Sequence, residues 1–293
     1  MPTSFGIGLQ KKASSGKPLL VDIDDWELGF FYHSGFWGRV GRFLNFSNPN
    51  GLPYVWRMER LVACADATSV SNRFLQGKFG GVLLPHCRDT TVLDPLKFDP
   101  DQIKEKMGFK NKKVVMFLGT PRPHKGLDDL LAAFKKVGDR NVNLVIIGAE
   151  NQQEFLKRVD QSIRERVVVL PKIPFQKLPE FLSMADIIAI PQRRTSDSVG
   201  QIPARLFDAM SMAKPIIATR ISDIPEVLGD CGYLVEPNKP SQLAEAIHYI
   251  LGHFDEALIK GLTARERCKQ MYDIHNLEFS LCGLVEQVVS KKG

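Results

Sequence analysis

A loop rich in proline, glycine and cations stands between an apolar run and a helix-like pattern in the middle of the chain. It reads Gly119-Thr120-Pro121-Arg122-Pro123-His124-Lys125-Gly126. Arg122 and Lys125 stand beside the start of the predicted helix, whose free N–H groups and partial positive charge already favour anions. The loop is therefore suited to bind a diphosphate, although an ordinary turn with solvated cations explains the same residues equally well. The spacing of a P-loop is absent.

A second polar loop, residues 191–202, leads into a predicted helix that begins at Pro203, a residue well suited to the first helical position. Asp208 lies about a turn and a half into this helix. Its carboxylate could accept two hydrogen bonds from a diol such as a ribose. An acid near a helix start more commonly complements the helix dipole, so both interpretations stay open.

The apolar pattern predicts a doubly wound α/β scaffold behind these loops. Short apolar runs without alternation indicate strands that are covered on both faces, and helix-like patterns separate them. In a parallel sheet of this kind, ligands bind outside the carboxyl ends of the strands. Strands are predicted at 114–118, 144–147, 167–170, 187–190, 215–218 and 233–235, with helices near 127–137, 152–163, 174–184, 203–213 and 241–251.

The chain before residue 113 is predicted to hold part of another α/β domain. A polar, mobile lead of about sixteen residues is followed by strands at 18–23, 67–70 and 81–85 and by helices at 55–64 and 72–77. Apolar runs vanish between His86 and Lys112, as in a connector. We therefore expect domains at 1–87 and 113–252, a linker at 88–112, and two helices, 256–271 and 276–289, within 253–293.

Composition excludes several classes of protein. The 293 residues are 44% apolar and 25% charged, which is typical of a folded chain with two domains. The five cysteines are scattered and never spaced C-x-x-C, so neither a disulfide framework nor a cysteine zinc site is indicated, and a reducing compartment fits. The chain shows neither the apolar run of a membrane span nor the apolar core of a secretory signal, which predicts a cytoplasmic protein.

The net charge of +6 favours anionic partners without choosing among them. Residues 30–43 mix aromatics with arginines, a pattern that fits either a core with a basic fringe or peripheral contact with the inner face of an anionic cell membrane. The chain lacks an aromatic–basic RNA motif, zinc spacing and a clustered basic helix, so we expect no nucleic-acid partner.

Five motifs in the second half stand in a recognisable order. They are KG-x-x-x-LL-x-AF at 125–134, IIG at 146–148, LPEFLSMADIIAIP at 178–191, DAMSMAKPIIAT at 208–219 and IPEVLGDCGYLVEP at 224–237. Together they resemble the nucleotide-sugar-binding half of retaining GT-B glycosyltransferases, family four. Residues 18–85 resemble the end of the acceptor domain of the same enzymes, which ordinarily has about a hundred more residues before this point.

The resemblance implies a GT-B-like fold: a parallel, doubly wound, Rossmann-like donor domain, a partial N-terminal α/β domain, and C-terminal helices that pack back across the cleft. It implies transfer of a sugar, with retention, from a nucleoside diphosphate sugar to a hydroxyl of a glycan or lipid-linked glycan, most commonly in polysaccharide biosynthesis. No D-x-D pair stands at the donor loop, so no metal and no cofactor besides this co-substrate is expected. The alternative is a truncated, non-catalytic homologue that binds nucleotide sugars; a GT-B isomerase is a weaker one.

The resemblance assigns roles in the first loop. Lys125 matches the lysine that neutralises the donor diphosphate and so stabilises the charge of the leaving group. Relatives usually carry a second cation directly after the glycine, whereas here Thr120 follows Gly119. We infer that Arg122 reaches the same diphosphate, which makes Lys125 and Arg122 the expected catalytic residues.

The resemblance also assigns roles in the second loop. Asp208 matches the last acid of the family's E-x7-E motif, which binds the ribose hydroxyls. The first glutamate, which faces the donor sugar, falls on Gly200, and Asp197 or Gln201 is the inferred substitute. The other residues expected to bind the donor are Gly119, Thr120, Gly148, Ile173, Gly200 and Ile202.

Overall fold

The computed structural model describes residues 2–32 and 36–290, so three residues of the aromatic–basic segment, 33–35, lie outside it. Contacts divide the chain into two compact units. The first comprises the described residues of Met1–His86, Thr195–Ile202 and His275–Gly293, and the second comprises Cys87–Arg194 and Pro203–Ile274.

The strands and helices alternate along most of the chain. The strands are β1 (Leu20–Ile23), β2 (Ala67–Val70), β3 (Val82–Leu83), β4 (Lys113–Leu118), β5 (Val142–Ile147), β6 (Val167–Leu170), β7 (Ile187–Ile190), β8 (Ile216–Thr219) and β9 (Tyr233–Val235). The helices are α1 (Pro2–Ser15), α2 (Phe36–Phe43), α3 (Leu52–Leu61), α4 (Arg73–Phe79), α5 (Pro100–Lys106), α6 (Leu127–Phe134), α7 (Gln152–Arg158), α8 (Gln161–Arg164), α9 (Leu178–Ser183), α10 (Ala204–Ser211), α11 (Ile224–Leu228), α12 (Pro240–Gly252), α13 (Phe254–Met271) and α14 (Ile274–Ser290).

The first unit is built on a parallel sheet in the order β1-β2-β3, in which Leu20 pairs with Ala67. The polar lead, expected to be without structure, is instead the helix α1. Lys12 holds this helix in place, because its ammonium donates to the Cys64 carbonyl at 2.7 Å and pairs with Asp66 at 2.9 Å. In the described part of the chain, no helix has the length and apolarity that crossing a membrane requires.

The second unit confirms the doubly wound α/β prediction. Its parallel sheet has the order β6-β5-β4-β7-β8-β9, and the apolar side chains of β4, β5, β7 and β8 are almost all fully buried because helices cover both faces. The strand order reverses between β4 and β7, which are direct neighbours. Such a switch point is where open α/β sheets bind ligands. The loops that follow β4 and β7 therefore begin side by side, at the same edge of the sheet.

The expected linker, residues 88–112, is folded against the second unit. It contains α5, whose first turn is capped by the Asp99 carboxylate, an acceptor for the N–H groups of Asp101 and Gln102. Lys104 on α5 bonds the buried carboxylate of Asp186 at 2.6 Å. The Asp-Pro pairs that suggest turns in the sequence thus mark helix starts.

Two expected helices have different boundaries or surroundings. The single helix expected at 152–163 is divided into α7 and α8, because Val159 is extended and the Asp160 carboxylate caps the second piece. Of the two C-terminal helices, α13 packs against α10 in the second unit, whereas residues 275–290 of α14 belong to the first.

Candidate functional site

Three glycines let the ends of β4, β5 and β7 approach one another in the second unit. A Cβ on Gly126 would lie 1.7 Å from the carbonyl oxygen of Pro191, and one on Gly148 would lie 2.8 Å from the carbonyl carbon of Gly119. Gly119, Gly126 and Gly148 all have positive φ angles, which favour glycine. The expected donor-binding residues Gly119 and Gly148 are therefore in contact, and the β4–α6 loop is held firmly at the switch point.

Two cations flank the same stretch of this loop. A Cβ on Gly119 would lie 3.2 Å from Nζ of Lys125 and 3.1 Å from Nη1 of Arg205. Lys125 comes from the loop itself, whereas Arg205 reaches the loop from α10. The geometry thus brings together a residue that the sequence analysis singled out and one that it missed.

Arg205 is almost fully buried, with 7% of its surface exposed. Its Nη1 donates to the carbonyl of Leu118 at 2.7 Å, and its guanidinium lies 4.9 Å from the ring centroid of Phe117. Its Nε and Nη2 have no hydrogen-bond partner within the described residues. A buried charge with unused donors is costly to the folded state, so an arginine in this environment is suited to an anionic ligand.

The lowered pKa values of Lys125 and Arg205 reflect above all the burial of the two cations. Burial is the largest cause that lowers the pKa of Lys125, and together with the charges of Arg205, Arg122 and Lys172 it brings this pKa to about 8. Burial likewise lowers the pKa of Arg205, to about 10, although the charge of Asp208 acts in the opposite direction. Neither Lys125 nor Arg205 forms an ion pair with a carboxylate in residues 2–32 and 36–290. An anion bound here would therefore relieve the repulsion between the two cations.

Arg122 has a more open environment than Lys125. It is exposed at the start of the short 3-10 turn that contains Lys125, and it lines a cavity of about 400 Å³ together with Thr120 and Glu154. Its charge nevertheless acts on Lys125, as the lowered lysine pKa shows. Its role at a diphosphate remains a prediction, and so does that of Thr120.

Asp208 is held by an arginine that the sequence analysis did not connect with it. The carboxylate is 5% exposed and accepts a hydrogen bond from Nε of Arg88. Arg88 also donates to the carbonyls of Cys87 and Ala204, at 2.7 and 3.1 Å, so its guanidinium has a fixed orientation. Asp208 thus does more than complement the dipole of α10. Whether its carboxylate binds a ribose remains a prediction.

The loop residue Gly200 packs within the first unit. A Cβ on Gly200 would lie 2.5 Å from Cβ of Trp26, and the Gly200 carbonyl accepts a hydrogen bond from Nδ2 of Asn72 at 3.0 Å. A glutamate would not fit at this position without displacing Trp26. The absence of the family's first glutamate therefore has a steric basis in this chain.

The side chains expected to replace that glutamate are engaged in the same unit. Gln201 donates from Nε2 to Asp25 at 2.8 Å, and burial raises the pKa of Asp25. Asp197 is 4% exposed and accepts a hydrogen bond from the Thr195 hydroxyl. Their roles toward a donor sugar remain predictions.

Two apolar residues complete the expected set. Ile202 is buried at the end of the second loop, in the first unit, and Ile173 is half-buried in the loop after β6, in the second. Lys172, next to Ile173, is close enough to Lys125 to lower its pKa. The loop after β6 therefore also lies near Lys125.

Comparison with known proteins identifies relatives of the second unit. Residues 112–253 match the family described as Glycosyl transferases group 1. Two Mycolicibacterium smegmatis enzymes are similar. A GDP-mannose-dependent alpha-(1-6)-phosphatidylinositol monomannoside mannosyltransferase is 26% identical in an alignment of 224 residues that covers 71% of this chain and 59% of the relative. An alpha-maltose-1-phosphate synthase is 27% identical in an alignment of 219 residues that covers 69% of this chain and 53% of the relative. The chain thus spans less than two thirds of either enzyme's length.

Solved structures show the same fold over almost the whole chain. Anabaena Alr3699/HepE, in complex with UDP, superposes with a TM-score of 0.77 at 17% identity, over 98% of this chain and 77% of that protein. Sucrose-phosphate synthase from Thermosynechococcus elongatus superposes with a TM-score of 0.73 at 18% identity, over 99% of this chain and 78% of that protein. These likenesses confirm the GT-B, Rossmann-like architecture.

Proposed function

Residues 112–253 form a glycosyl transferases group 1 domain, and we propose on this premise that the protein moves a glycosyl group, with retention, from a nucleoside diphosphate sugar to an acceptor hydroxyl. The observation that carries the proposal is the cation pair of Lys125 and Arg205 beside Gly119. Neither side chain forms a direct ion pair with a carboxylate among the described residues, and both stand where an α/β sheet of this topology binds ligands.

The pair is suited to the central difficulty of the reaction. As the bond between the anomeric carbon and the phosphate oxygen breaks, its electron pair stays with the diphosphate, and negative charge grows there. Fixed cations in a partly dry site stabilise this growing charge more than they stabilise the intact donor. Lys125 and Arg205 would thus lower the barrier without a metal ion, and we propose that the reaction needs none.

The donor's ribose is assigned to Asp208. Arg88 orients the Asp208 carboxylate, and an oriented carboxylate is suited to accept hydrogen bonds from a diol. The ion pair also offsets the negative charge of Asp208, which would otherwise repel the diphosphate nearby.

Glycans and lipid-linked glycans are the acceptors we propose, and one relative acts by name on a phosphatidylinositol monomannoside. All five cysteines are free thiols, which fits the cytoplasm as the place of the reaction.

Calorimetric titration with UDP and GDP tests the donor site. We expect one of them to bind the wild-type chain, and we expect Lys125→Ala and Arg205→Met each to weaken that binding by about 10- to 150-fold, the effect of a hydrogen bond between charged groups. Lys136→Ala and Arg140→Met change exposed cations between α6 and the start of β5, at the edge of the sheet opposite the loop, and should bind as the wild type does. Failure of both nucleotides to bind would refute the proposal.

Turnover separates a transferase from a binding protein. UDP-glucose and GDP-mannose are incubated with the chain and a lipid or glycan extract, with and without EDTA, and the product's anomeric configuration is read by NMR. We expect the donor to be consumed at a rate that EDTA does not lower. The axial configuration at the anomeric carbon of the donor should be retained in the product. Binding without turnover would favour the non-catalytic alternative. Turnover by Lys125→Ala at the wild-type rate would contradict the mechanism.

A further inference from the structure

Helix α2, in the first unit, has no buried residue. Trp37 is 81% exposed and Phe36 is 65% exposed, so large apolar side chains stand in solvent on a helix of only eight residues. Further exposed apolar side chains, together with exposed arginines, extend this surface along the chain and onto α3. We call the whole set the aromatic–arginine surface: Phe36, Trp37, Arg39, Arg42, Phe43, Leu44, Phe46, Trp56, Arg57 and Arg60.

The apolar members lie on one side of α2. Phe36, Val40 and Phe43 follow helical spacing, and together with Leu44 and Leu52 they line an open apolar cavity of about 510 Å³. The ring of Phe43 also meets the ring of Trp56 edge-on, at 5.9 Å between centroids. Contact with α3 therefore leaves most of the apolar face of α2 uncovered within the first unit.

The charged members are all arginines, and aromatic rings position them. Arg39 and Arg42 lie 5.9 Å from the ring centroids of Tyr32 and Phe31, and Arg60 stacks over Trp56 at 3.5 Å. No carboxylate pairs with the arginines of this surface in the described part of the chain. Cation–π contacts leave the guanidinium groups positively charged. The surface thus combines positive charges that are not paired with carboxylates and an exposed apolar face.

We propose that the aromatic–arginine surface docks on the surface of an anionic lipid bilayer. A short helix with aromatic residues on one side and arginines at its border is suited to lie in the plane of such a surface. Trp37 and Phe36 insert at the level of the headgroups, where tryptophan is favoured, while the arginines contact lipid phosphates. A second copy of the chain is a poor occupant, because two arginine-rich surfaces would face each other.

Co-flotation of the full chain with lipid vesicles tests the proposal. We expect binding to vesicles of phosphatidylcholine with phosphatidylglycerol, weaker binding as sodium chloride is raised, and little binding to phosphatidylcholine alone. The variants Arg39→Gln and Arg42→Gln should each weaken binding about fivefold, because a basic residue near an anionic surface contributes about 1 kcal/mol. Trp37→Ala should weaken binding at every salt concentration.

Matched controls change an exposed aromatic and an exposed arginine of the second unit. Phe175 is 56% exposed and Arg140 is also exposed, and Phe175→Ala and Arg140→Gln should bind vesicles as the wild type does. Circular dichroism melting shows that each variant is folded. The proposal is overturned if the wild type does not float with anionic vesicles at low salt, or if the α2 variants float as well as the controls. It is also overturned if sedimentation shows that the wild type is a dimer, that Trp37→Ala dissociates this dimer, and that the wild type does not bind vesicles.

Discussion

Titration of Lys125 predicts how the affinity for a nucleoside diphosphate changes with pH. The pKa of this lysine is lowered to about 8 in the unliganded chain, and a bound diphosphate raises it, since the opposite charge favours the ammonium. Affinity should therefore be constant well below pH 8, where the lysine is already charged. The affinity should fall as the pH rises through 8, because Lys125 must then take up a proton when the diphosphate binds.

The magnitude follows from the fraction of charged lysine. With a pKa near 8, about nine tenths of the molecules carry the charge at about pH 7 and about one tenth at about pH 9. If the protonated form binds the diphosphate, the dissociation constant should rise about tenfold over this range, which is about 1.4 kcal/mol. The terminal phosphate of the nucleotide loses its second proton near pH 6, so it contributes little above pH 7.

Calorimetry with UDP or GDP at half-unit steps between about pH 6.5 and 9.5 measures the profile, in buffers of matched ionic strength. Lys125→Arg is the control, because arginine keeps its charge throughout this range. It should bind with an affinity that hardly changes, apart from any titration of the nucleotide base, which the wild type shares. A flat wild-type profile, or the same decline in Lys125→Arg, would refute the assignment of Lys125 to the diphosphate.

Three further predictions concern stability. Arg205→Met should keep or raise the melting temperature while it weakens UDP or GDP binding, because methionine removes a buried charge with unused donors; a clear loss of stability would show that Arg205 is structural. Gly126→Ala should lower the free energy of unfolding in urea by about 3 kcal/mol, because its Cβ would clash with the Pro191 carbonyl, and an unchanged urea midpoint would contradict this. Asp186→Ala should lower the free energy of unfolding in urea by about 3 kcal/mol, because it removes the carboxylate that pairs with Lys104, whose side chain is only 12% exposed. Unfolding of this variant at the same urea concentration as the wild type would show that the ion pair contributes little.

The sheet of the second unit was predictable from the sequence, because its strands are buried on both faces. Val114–Leu118 and Leu144–Ile147 read as uninterrupted apolar runs, and only such burial makes a run of this kind stable in water. The helix at the start of the chain was missed for the opposite reason. The α1 sequence has weak amphipathicity and is held by polar contacts of Lys12, which no apolar pattern reveals.

One of the two residues of the cation pair beside Gly119 was predictable from the sequence. Lys125 follows a strand end and precedes a helix, and that local arrangement alone indicates an anion site. Arg205 belongs to another loop and helix, and its approach to Gly119 depends on β4 and β7 being neighbours. The one signal in the sequence was an arginine between the apolar residues Ala204 and Leu206, on a helix predicted to pack against the sheet. Arg88 was likewise invisible, because its contact with Asp208 spans 120 positions.

The cation pair beside Gly119 also bears on how the proposed catalytic cycle ends. Neither Lys125 nor Arg205 forms a direct ion pair with a carboxylate in the described part of the chain, so a freed nucleoside diphosphate leaves behind two like charges in a partly dry site. Its departure therefore restores the repulsion that its arrival relieved. We expect product dissociation, rather than sugar transfer, to set the pace of turnover, and enzymes that degrade the released nucleotide to speed the reaction by keeping it from binding again.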